Sequence, residues 1–183
     1  MQPKPLPKRL DSARLSLRAL QPDWAELIYQ AVDQERNRLS RFLPWPAFIQ
    51  NVQDERDYIE HVNAQWGSGQ LFDFALFRNE DDIYIGNAGV HSINWAHDTC
   101  ELGYWLLSDY EHQGFMNEAV GALENALFAI GFHRIEIRCH AENHRSAQLP
   151  QRRGYQKEAV LRDARLMSDG YADTLVFGKL SGE

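Results

Sequence analysis

Two short stretches of the sequence carry residue types that can bind an anion or move a proton. In the first, an alternating segment that ends at Leu107 leads through residues 108–113 to Gly114, and a helical apolar pattern begins at Phe115. The unpaired N–H groups of a first helical turn point outward, the helix dipole favours negative charge, and glycine lets the backbone approach a phosphate. The stretch therefore predicts an anion site, with an ordinary turn as the alternative. It contains neither the GxGxxG nor the GxxxxGK(S/T) pattern of nucleotide-binding loops.

The second stretch is Asn143-His144-Arg145-Ser146, which follows an alternating segment at 134–140. Asn143 is a suitable N-cap for a helix that begins at 144, and this structural role alone would explain it. Ser146 lies three residues further on, so its hydroxyl would face the same pocket as the helix N-terminus.

The histidines do not form a metal-binding pattern. Six of the seven histidines form no His-x-x-x-His pair on one helix face and have no cysteine spacing that would bind zinc. They are His91, His97, His112, His133, His140 and His144. We expect no metal site, and we keep His112 and His140 as candidates that assist proton transfer.

Apolar periodicity predicts the elements that would position these stretches. Strands are expected at 13–20, 72–78, 83–93, 99–107, 134–140, 156–166 and 172–179. Helices are expected around 24–32 and at 53–66, 114–130 and 143–153, and the proline- and aromatic-rich residues 39–48 predict a loop with short helical pieces. The order βααβββαβαββ predicts an α/β (α+β) fold, a mixed and mostly antiparallel sheet flanked by helices.

Length and composition predict one globular domain. The chain has 183 residues, of which 44% are hydrophobic and 25% charged, which argues against disorder and a fibre. No apolar run approaches the ~18 residues of a membrane span, and no apolar stretch follows the basic N-terminal residues as in a secretory signal. Cys100 and Cys139 are expected to be reduced thiols of a cytoplasmic protein.

The charge is unevenly distributed along the chain. The net charge of −7 argues weakly against nucleic acid as the main partner. Residues 131–165 nevertheless hold eight basic and four acidic residues. This segment is either a solvated basic face or a local field for an anionic ligand.

The layout and four short sequences resemble the GNAT acyltransferase superfamily and, within it, the RimJ/RimL-like ribosomal-protein-serine N-acetyltransferases. The sequences are LPWPAF at 43–48, ELGYWL at 101–106, QGFMNEA at 113–119 and NHRSAQ at 143–148, and Arg153-Gly154-Tyr155 is a closing match. The resemblance extends from about Arg14 to Lys179. It implies that residues 1–183 form a single acetyltransferase domain, with 1–12 as a loosely ordered N-terminal segment.

The resemblance implies acetyl-coenzyme A as the donor. The pantetheine arm would pair with backbone groups of Trp105, Leu106 and Leu107. Asn143 and Ser146 would line the thioester end. The pyrophosphate would lie on the amides of Gln113, Gly114, Phe115, Met116 and Asn117.

The resemblance also implies direct attack of an amine on the thioester, with Glu101 as the candidate base and Ser146 as the candidate acid. Strand amides near Leu106 would stabilise the oxyanion. A carboxylate of ordinary pKa suits a protein N-terminus, at about 7.7–8.0, better than a lysine amine, at about 10.4. The acceptor would contact Glu101 and Tyr104. Trp45 and Phe48 either form an acceptor wall or belong to core or lid packing.

The function expected from the resemblance is acetylation of the N-terminal α-amine of a protein, a ribosomal one by analogy with the family. Direct nucleic-acid and membrane partners are not expected, and the family makes a homodimer plausible. Two alternatives stay open: a small-amine acetyltransferase acting on a polyamine, an amino acid or an aminoglycoside, and a non-catalytic coenzyme A-binding sensor.

Three residues depart from the pattern of the family. Glu111 places negative charge near the expected pyrophosphate, and Met116 is bulkier than the usual glycine or alanine. Pro150 stands where many members carry a tyrosine acid, which leaves Ser146 or a water as the candidate. A proline inside a helix also predicts that the helix is short or bent.

Overall fold

A computed structural model describes residues 3–183. Its sheet has eight strands in the order β1-β2-β3-β4-β5-β6-β8-β7, and within the described residues only the pairing of β5 with β6 is parallel. The strands are β1 (Arg9–Asp11), β2 (Leu15–Ala19), β3 (Phe72–Arg78), β4 (Tyr84–Asn94), β5 (Thr99–Leu106), β6 (Arg134–His140), β7 (Gln156–Met167) and β8 (Gly170–Leu180). The predicted fold, a mixed and mostly antiparallel sheet with flanking helices, is confirmed.

Four α-helices and three short 3₁₀ turns accompany the sheet. The helices are α1 (Ala25–Ser40), α2 (Val52–Trp66), α3 (Phe115–Ile130) and α4 (His144–Arg152), and the turns are Pro22–Trp24, Trp45–Phe48 and Ser108–Tyr110. Both faces of the central strand β3 are buried, as expected for a strand between two helical layers. No helix within residues 3–183 is long and apolar enough to cross a membrane.

The described part of the N-terminal segment, residues 3–12, contacts the rest of the chain, while residues 1 and 2 lie outside the described residues. Strand β1 pairs with β2 in antiparallel register. Leu6 is buried, and its carbonyl accepts a hydrogen bond from Trp66 Nε1 at 3.1 Å. A strand of three residues has too few positions to show an alternating pattern, so periodicity did not reveal it.

Helix α1 is longer than its apolar periodicity indicates. The pattern ends at Val32, whereas the helix continues to Ser40 and buries the carboxylate of Glu35. That carboxylate accepts hydrogen bonds from the backbone N–H of Ser108 at 2.9 Å and from its hydroxyl at 2.6 Å, and it pairs with Arg38. The last two turns are therefore held by a polar network that an apolar pattern does not reveal.

Strands β5 and β6 separate along their length and leave a gap in the sheet. Their register runs from Thr99↔Arg134 to Leu102↔Ile137 and stops there. The pairing of β5 with β4 continues to Gly86↔Leu106. The second half of β5 therefore has a free edge on the side of β6, and α3 begins shortly after that edge ends.

Candidate active site

A cavity of about 790 Å³ opens where β5 and β6 separate. Its wall is formed by residues of β5, the loop before α3 and the start of α3, the end of β6 and α4, together with residues from the range 38–43 at and after the end of α1 and Arg165 of β7. Nine of the predicted site residues line it: Tyr104, Trp105, Leu106, Gly114, Phe115, Met116, Asn117, Asn143 and Ser146. Five predicted site residues lie outside the wall: Trp45, Phe48, Glu101, Leu107 and Gln113.

The residues outside the wall differ in how close they come to it. Trp45 packs against the cavity residue Trp105, with ring centroids 6.0 Å apart, whereas the side chain of Phe48 is 75% exposed. The carbonyl of Gln113 accepts a hydrogen bond from Arg14 Nη1 at 3.0 Å. Trp45 is thus a second layer behind the cavity wall, and Phe48 points to solvent.

The free edge of β5 presents the backbone groups of Tyr104 and Leu106 to the gap. The N–H of Leu107 donates to the carbonyl of Ile85 at 2.8 Å, so this amide is used by β4. Backbone groups alternate between the two edges of a strand, so the N–H and C=O of Leu106 point towards the gap. The carbonyl of Leu106 accepts from Arg38 Nη2 at 2.6 Å. The N–H groups of Tyr104 and Leu106 therefore face the gap beyond the last β5–β6 pair.

The N-terminus of α3 forms the other end of the cavity. Gly114 has φ of 81°, in the left-handed region that favours glycine, and no side chain caps the helix. The N–H groups of the first turn, at 115–117, therefore face the cavity without a side-chain partner. Helix α3 has sixteen residues, so the positive end of its dipole lies at this N-terminus. This geometry fits the predicted anion site.

Glu111 does not leave an uncompensated negative charge beside this end. Its Oε1 lies 2.8 Å from Arg38 Nη1, and its other oxygen pairs with Arg145. The carboxylate thus holds two guanidinium groups at the cavity wall. Glu111, although it departs from the family pattern, therefore holds positive charge at the anion site in addition to its own negative charge.

Ser146 is held at three of its atoms. The side chain of Asn143 accepts from its backbone N–H at 3.1 Å, so the predicted N-cap is present. Pro150 has no N–H to donate to the carbonyl of Ser146 four residues earlier. The hydroxyl of Tyr104 donates to that carbonyl at 3.2 Å, and Ser146 Oγ donates to the Tyr104 oxygen at 3.4 Å. Burial raises the pKa of Tyr104.

Glu101 lies beside the cavity with only 13% of its side chain exposed. Its Oε2 is 3.5 Å from Arg138 Nε, and its Oε1 is 3.9 Å from His91 Nε2. Burial raises the pKa of Glu101, and Arg138 opposes that rise. A carboxylate with a raised pKa is a stronger base than an ordinary one, as general-base catalysis requires.

Sequence reasoning missed His91, whose side chain faces Glu101. Burial, followed by the charges of Arg138 and Arg165, lowers the pKa of His91, which keeps its imidazole neutral near pH 7. The signal that predicts this contact is the hairpin register, since the turn at 94–98 pairs His91 directly with Glu101. The two histidines that the sequence analysis kept as candidates, His112 and His140, both line the cavity. No group of three or more potential metal ligands occurs in the described part of the chain.

Glu101 and Ser146 lie on opposite faces of the sheet. Side chains alternate along a strand, so Glu101 and Trp105 share one face of β5 and Tyr104 lies on the other. Trp105 meets Trp45 from the connection between α1 and α2, whereas Tyr104 meets Ser146 of α4. A candidate base and a candidate acid therefore flank the same gap from two sides.

The fold, the open β5 edge and the uncapped α3 N-terminus fit an acyltransferase whose donor is anionic and lies along the strand edge. The family pattern of the acetyltransferase (GNAT) domain matches residues 14–156, and the chain belongs to this family. It is an N-acetyltransferase with acetyl-coenzyme A as its donor.

Two curated relatives cover nearly the whole chain. A ribosomal-protein-serine acetyltransferase of Escherichia coli (strain K12) is 28% identical over 170 residues, 92% of this chain and 94% of the relative. An uncharacterized N-acetyltransferase, p20, of Bacillus licheniformis is 30% identical over 176 residues, 95% of this chain and 97% of the relative.

Two solved structures share the fold over the same extent. RimL, a ribosomal L7/L12 α-N-protein acetyltransferase in complex with coenzyme A, superposes with a TM-score of 0.89 at 21% identity, covering 97% of this chain and 98% of that one. The microcin C7 self-immunity acetyltransferase MccE, in complex with acetyl-CoA and AMP, has a TM-score of 0.87 at 22% identity, covering 92% and 93%.

Proposed function

We propose that the chain acetylates the N-terminal α-amine of a protein, specifically a ribosomal protein in the cytoplasm. The relatives that modify ribosomal proteins support this assignment. The observation that carries it is the placement of Glu101 and Ser146 on opposite faces of the β5–β6 gap. Amine attack and thiolate departure occur on different sides of the carbonyl carbon, so base and acid are needed on different sides. The free thiols Cys100 and Cys139 agree with a reducing compartment.

The donor would lie along the β5 edge with its phosphates at α3. The amides at 115–117 and the guanidinium groups of Arg38 and Arg145 provide a site for the pyrophosphate. The free edge at Tyr104 and Leu106 offers backbone groups to the pantetheine arm. Asn143 and Ser146 line the same cavity at the thioester end.

Glu101 would accept the proton of the acceptor amine, directly or through a water. An α-amine has a pKa near 7.7–8.0. Because burial raises the pKa of Glu101, the difference in pKa between the amine that gives up the proton and the carboxylate that takes it becomes smaller. The neutral His91 beside it provides a second acceptor for that proton. The amine nitrogen then forms its bond to the acetyl carbon.

The groups on the opposite side would stabilise charge and protonate the leaving thiolate. The N–H of Tyr104, which faces the gap beside Ser146, would stabilise the oxyanion of the tetrahedral intermediate. When the C–S bond breaks, Ser146 Oγ would donate its proton to sulfur and would then regain a proton from solvent, while the Tyr104 hydroxyl in contact with it holds Oγ in position. Ser146 would thus do the work of the tyrosine that Pro150 replaces.

The charge of the cavity wall disfavours a polyamine as acceptor. The wall carries two acids, Glu111 and Glu142, and six arginines: Arg38, Arg41, Arg138, Arg145, Arg152 and Arg165. A polycation would meet repulsion at most of this surface. A pure coenzyme A sensor is disfavoured too, because it has no need of a buried carboxylate and a hydroxyl on opposite faces of the gap.

Coenzyme A release with a panel of acceptors tests the proposal. The panel is a serine-starting peptide with an internal lysine, the same peptide with a blocked N-terminus, and spermidine. We expect release with the free peptide alone and, by mass spectrometry, an acetyl group on its first residue. Acetylation of the blocked peptide or of spermidine would contradict the proposal, and donor binding without any release would favour the sensor. Sedimentation of the purified chain tests the homodimer that the family resemblance suggests.

A further inference from the structure

Two arginines stand at the end of the cavity away from α3. Strand β5 runs from Glu101 towards the loop before α3, so its first residues lie well away from the helix N-terminus. At that far end, Arg138 of β6 and Arg165 of β7 line the wall. Arg138 follows the last β5–β6 pair, and its Nε is 3.5 Å from Glu101 Oε2. The charge of Arg165 also acts on Glu101 and on His91.

The two guanidinium groups differ in how they are compensated. Arg138 pairs with Glu136, at 2.8 Å between Nη2 and Oε2. Arg165 is only partly exposed, and no carboxylate of residues 3–183 lies within 4.0 Å of it. A half-buried guanidinium without an ionic partner, in the wall of a cavity, is suited to bind a carboxylate of a ligand.

The donor does not account for this second basic site. Its phosphates have their own site at the start of α3, with Arg38 and Arg145. The face of Glu101 is the one from which the acceptor amine must approach, if Glu101 takes its proton. Arg165 and Arg138 would therefore meet the residues that follow that amine.

We propose that Arg165, together with Arg138, binds a carboxylate within the first few residues of the acceptor polypeptide. The preferred substrate is then an acidic N-terminal segment rather than any free α-amine. This inference rests on the proposed function, since it assigns the specificity of the same site. It also gives the basic segment 131–165 a part in acceptor selection, in addition to donor binding.

Matched peptides test the inference. Each is an eight-residue, serine-starting, otherwise neutral peptide with one aspartate at position 2, 3, 4 or 5, and its control has asparagine there. For the wild-type chain we expect kcat/KM about 10-fold higher with aspartate at one or two of these positions, as a charge-assisted hydrogen bond provides. In Arg165→Gln the aspartate-to-asparagine ratio should fall to about 1, and Arg165→Glu should prefer a lysine at that position.

The control variant is Arg162→Gln, which removes an exposed arginine of the same strand that does not line the cavity. It should keep the full preference for aspartate. A thermal shift with coenzyme A confirms that each variant folds and binds the donor. Equal kcat/KM for aspartate and asparagine peptides in the wild type, or a preference for aspartate that survives in Arg165→Gln, would overturn the inference while leaving N-terminal acetylation intact. Absence of release with every peptide would refute the proposed function and this inference with it.

Discussion

Ser146 shows how one replacement in the sequence is compensated by a residue far away in the chain. Pro150 removes both a tyrosine hydroxyl and a backbone donor from α4. Tyr104, on the neighbouring strand, supplies a hydroxyl to the carbonyl that lost its donor and contacts Ser146 Oγ as well. The orientation of the candidate acid thus depends on a contact between β5 and α4.

We expect Tyr104→Phe to lower kcat about 10-fold and to reduce the free energy of unfolding by about 1 kcal/mol, because the Ser146 carbonyl loses its partner. The Kd for coenzyme A should change little. Steady-state kinetics, denaturant unfolding and calorimetry measure the three quantities.

Pro150→Ala provides the matched background for this test, since alanine restores an N–H that can donate to the Ser146 carbonyl. In that background Tyr104→Phe should cost less stability, while the loss in kcat persists. An identical stability loss in both backgrounds would show that the tyrosine does not replace the missing donor.

The entry to α3 is the element on which donor binding depends most directly. Gly114 adopts its left-handed conformation where the first-turn amides face the cavity, and an added Cβ would be 3.5 Å from Arg14 Nη2. The space is sufficient for a methyl group, so a side chain at 114 would cost stability only through the strained backbone conformation. The same conformation recurs at Gly154, after α4.

We expect Gly114→Ala to cost about 1 kcal/mol of stability and to weaken coenzyme A binding several-fold, because the strained turn shifts the amides. Gly154→Ala is the matched control: its φ is 82° and nothing lies within 4 Å of an added Cβ. It should lose a similar amount of stability and keep the Kd. Equal weakening of coenzyme A binding in both variants would argue against an anion site at α3.

Local signals predicted the parts of the site that belong to one element. The glycine before α3 and the asparagine cap of α4 were recognisable because the residues that form each feature are adjacent in sequence. The contacts of Tyr104 with Ser146 and of His91 with Glu101 arise from strand register and helix docking. Arg165 was seen only as part of a basic segment, since nothing in the sequence indicates that its side chain, on the strand beyond β8, lines the same cavity as Arg138.

At the scale of the whole molecule, a buried acidic pair between α2 and β3 links stability to pH. Glu55 is 2% exposed, and its Oε1 has no hydrogen-bond partner within the described residues. Burial, with the nearby charge of Asp73, raises the pKa of Glu55 to about 7, and burial raises that of Asp73 to about 6. Tyr58 donates to Asp73 at 2.8 Å, which satisfies one of the two carboxylates.

The folded state therefore favours the protonated acids. Both pKa values are above their values of about 4 in the unfolded chain. The stability that the protonated acids contribute to the folded state is therefore complete below pH 4 and is lost as pH rises through about 6 to 7. Glu55→Gln keeps the shape without the charge. We expect it to raise the free energy of unfolding by about 3 kcal/mol at pH 8 and to have little effect at pH 4.5, as measured by urea unfolding.

Glu60→Gln is the control for this prediction, because Glu60 is exposed on the same helix. It should have little effect at either pH. A gain in Glu55→Gln that is equal at both pH values would show that Glu55 is ionised in the folded protein throughout this range.

The central claim is that the gap between β5 and β6 is an acetyl-transfer site in which Glu101 takes the proton of the amine. The most direct measurement is the pH profile of kcat/KM for wild type and Glu101→Gln, from pH 6 to 9, with a serine-starting peptide. We predict a loss of about 10²–10³ at pH 6.5, the usual size of a general-base contribution, that becomes smaller towards pH 9 as the free amine predominates. A loss that does not change with pH, or no loss at all, would contradict the account.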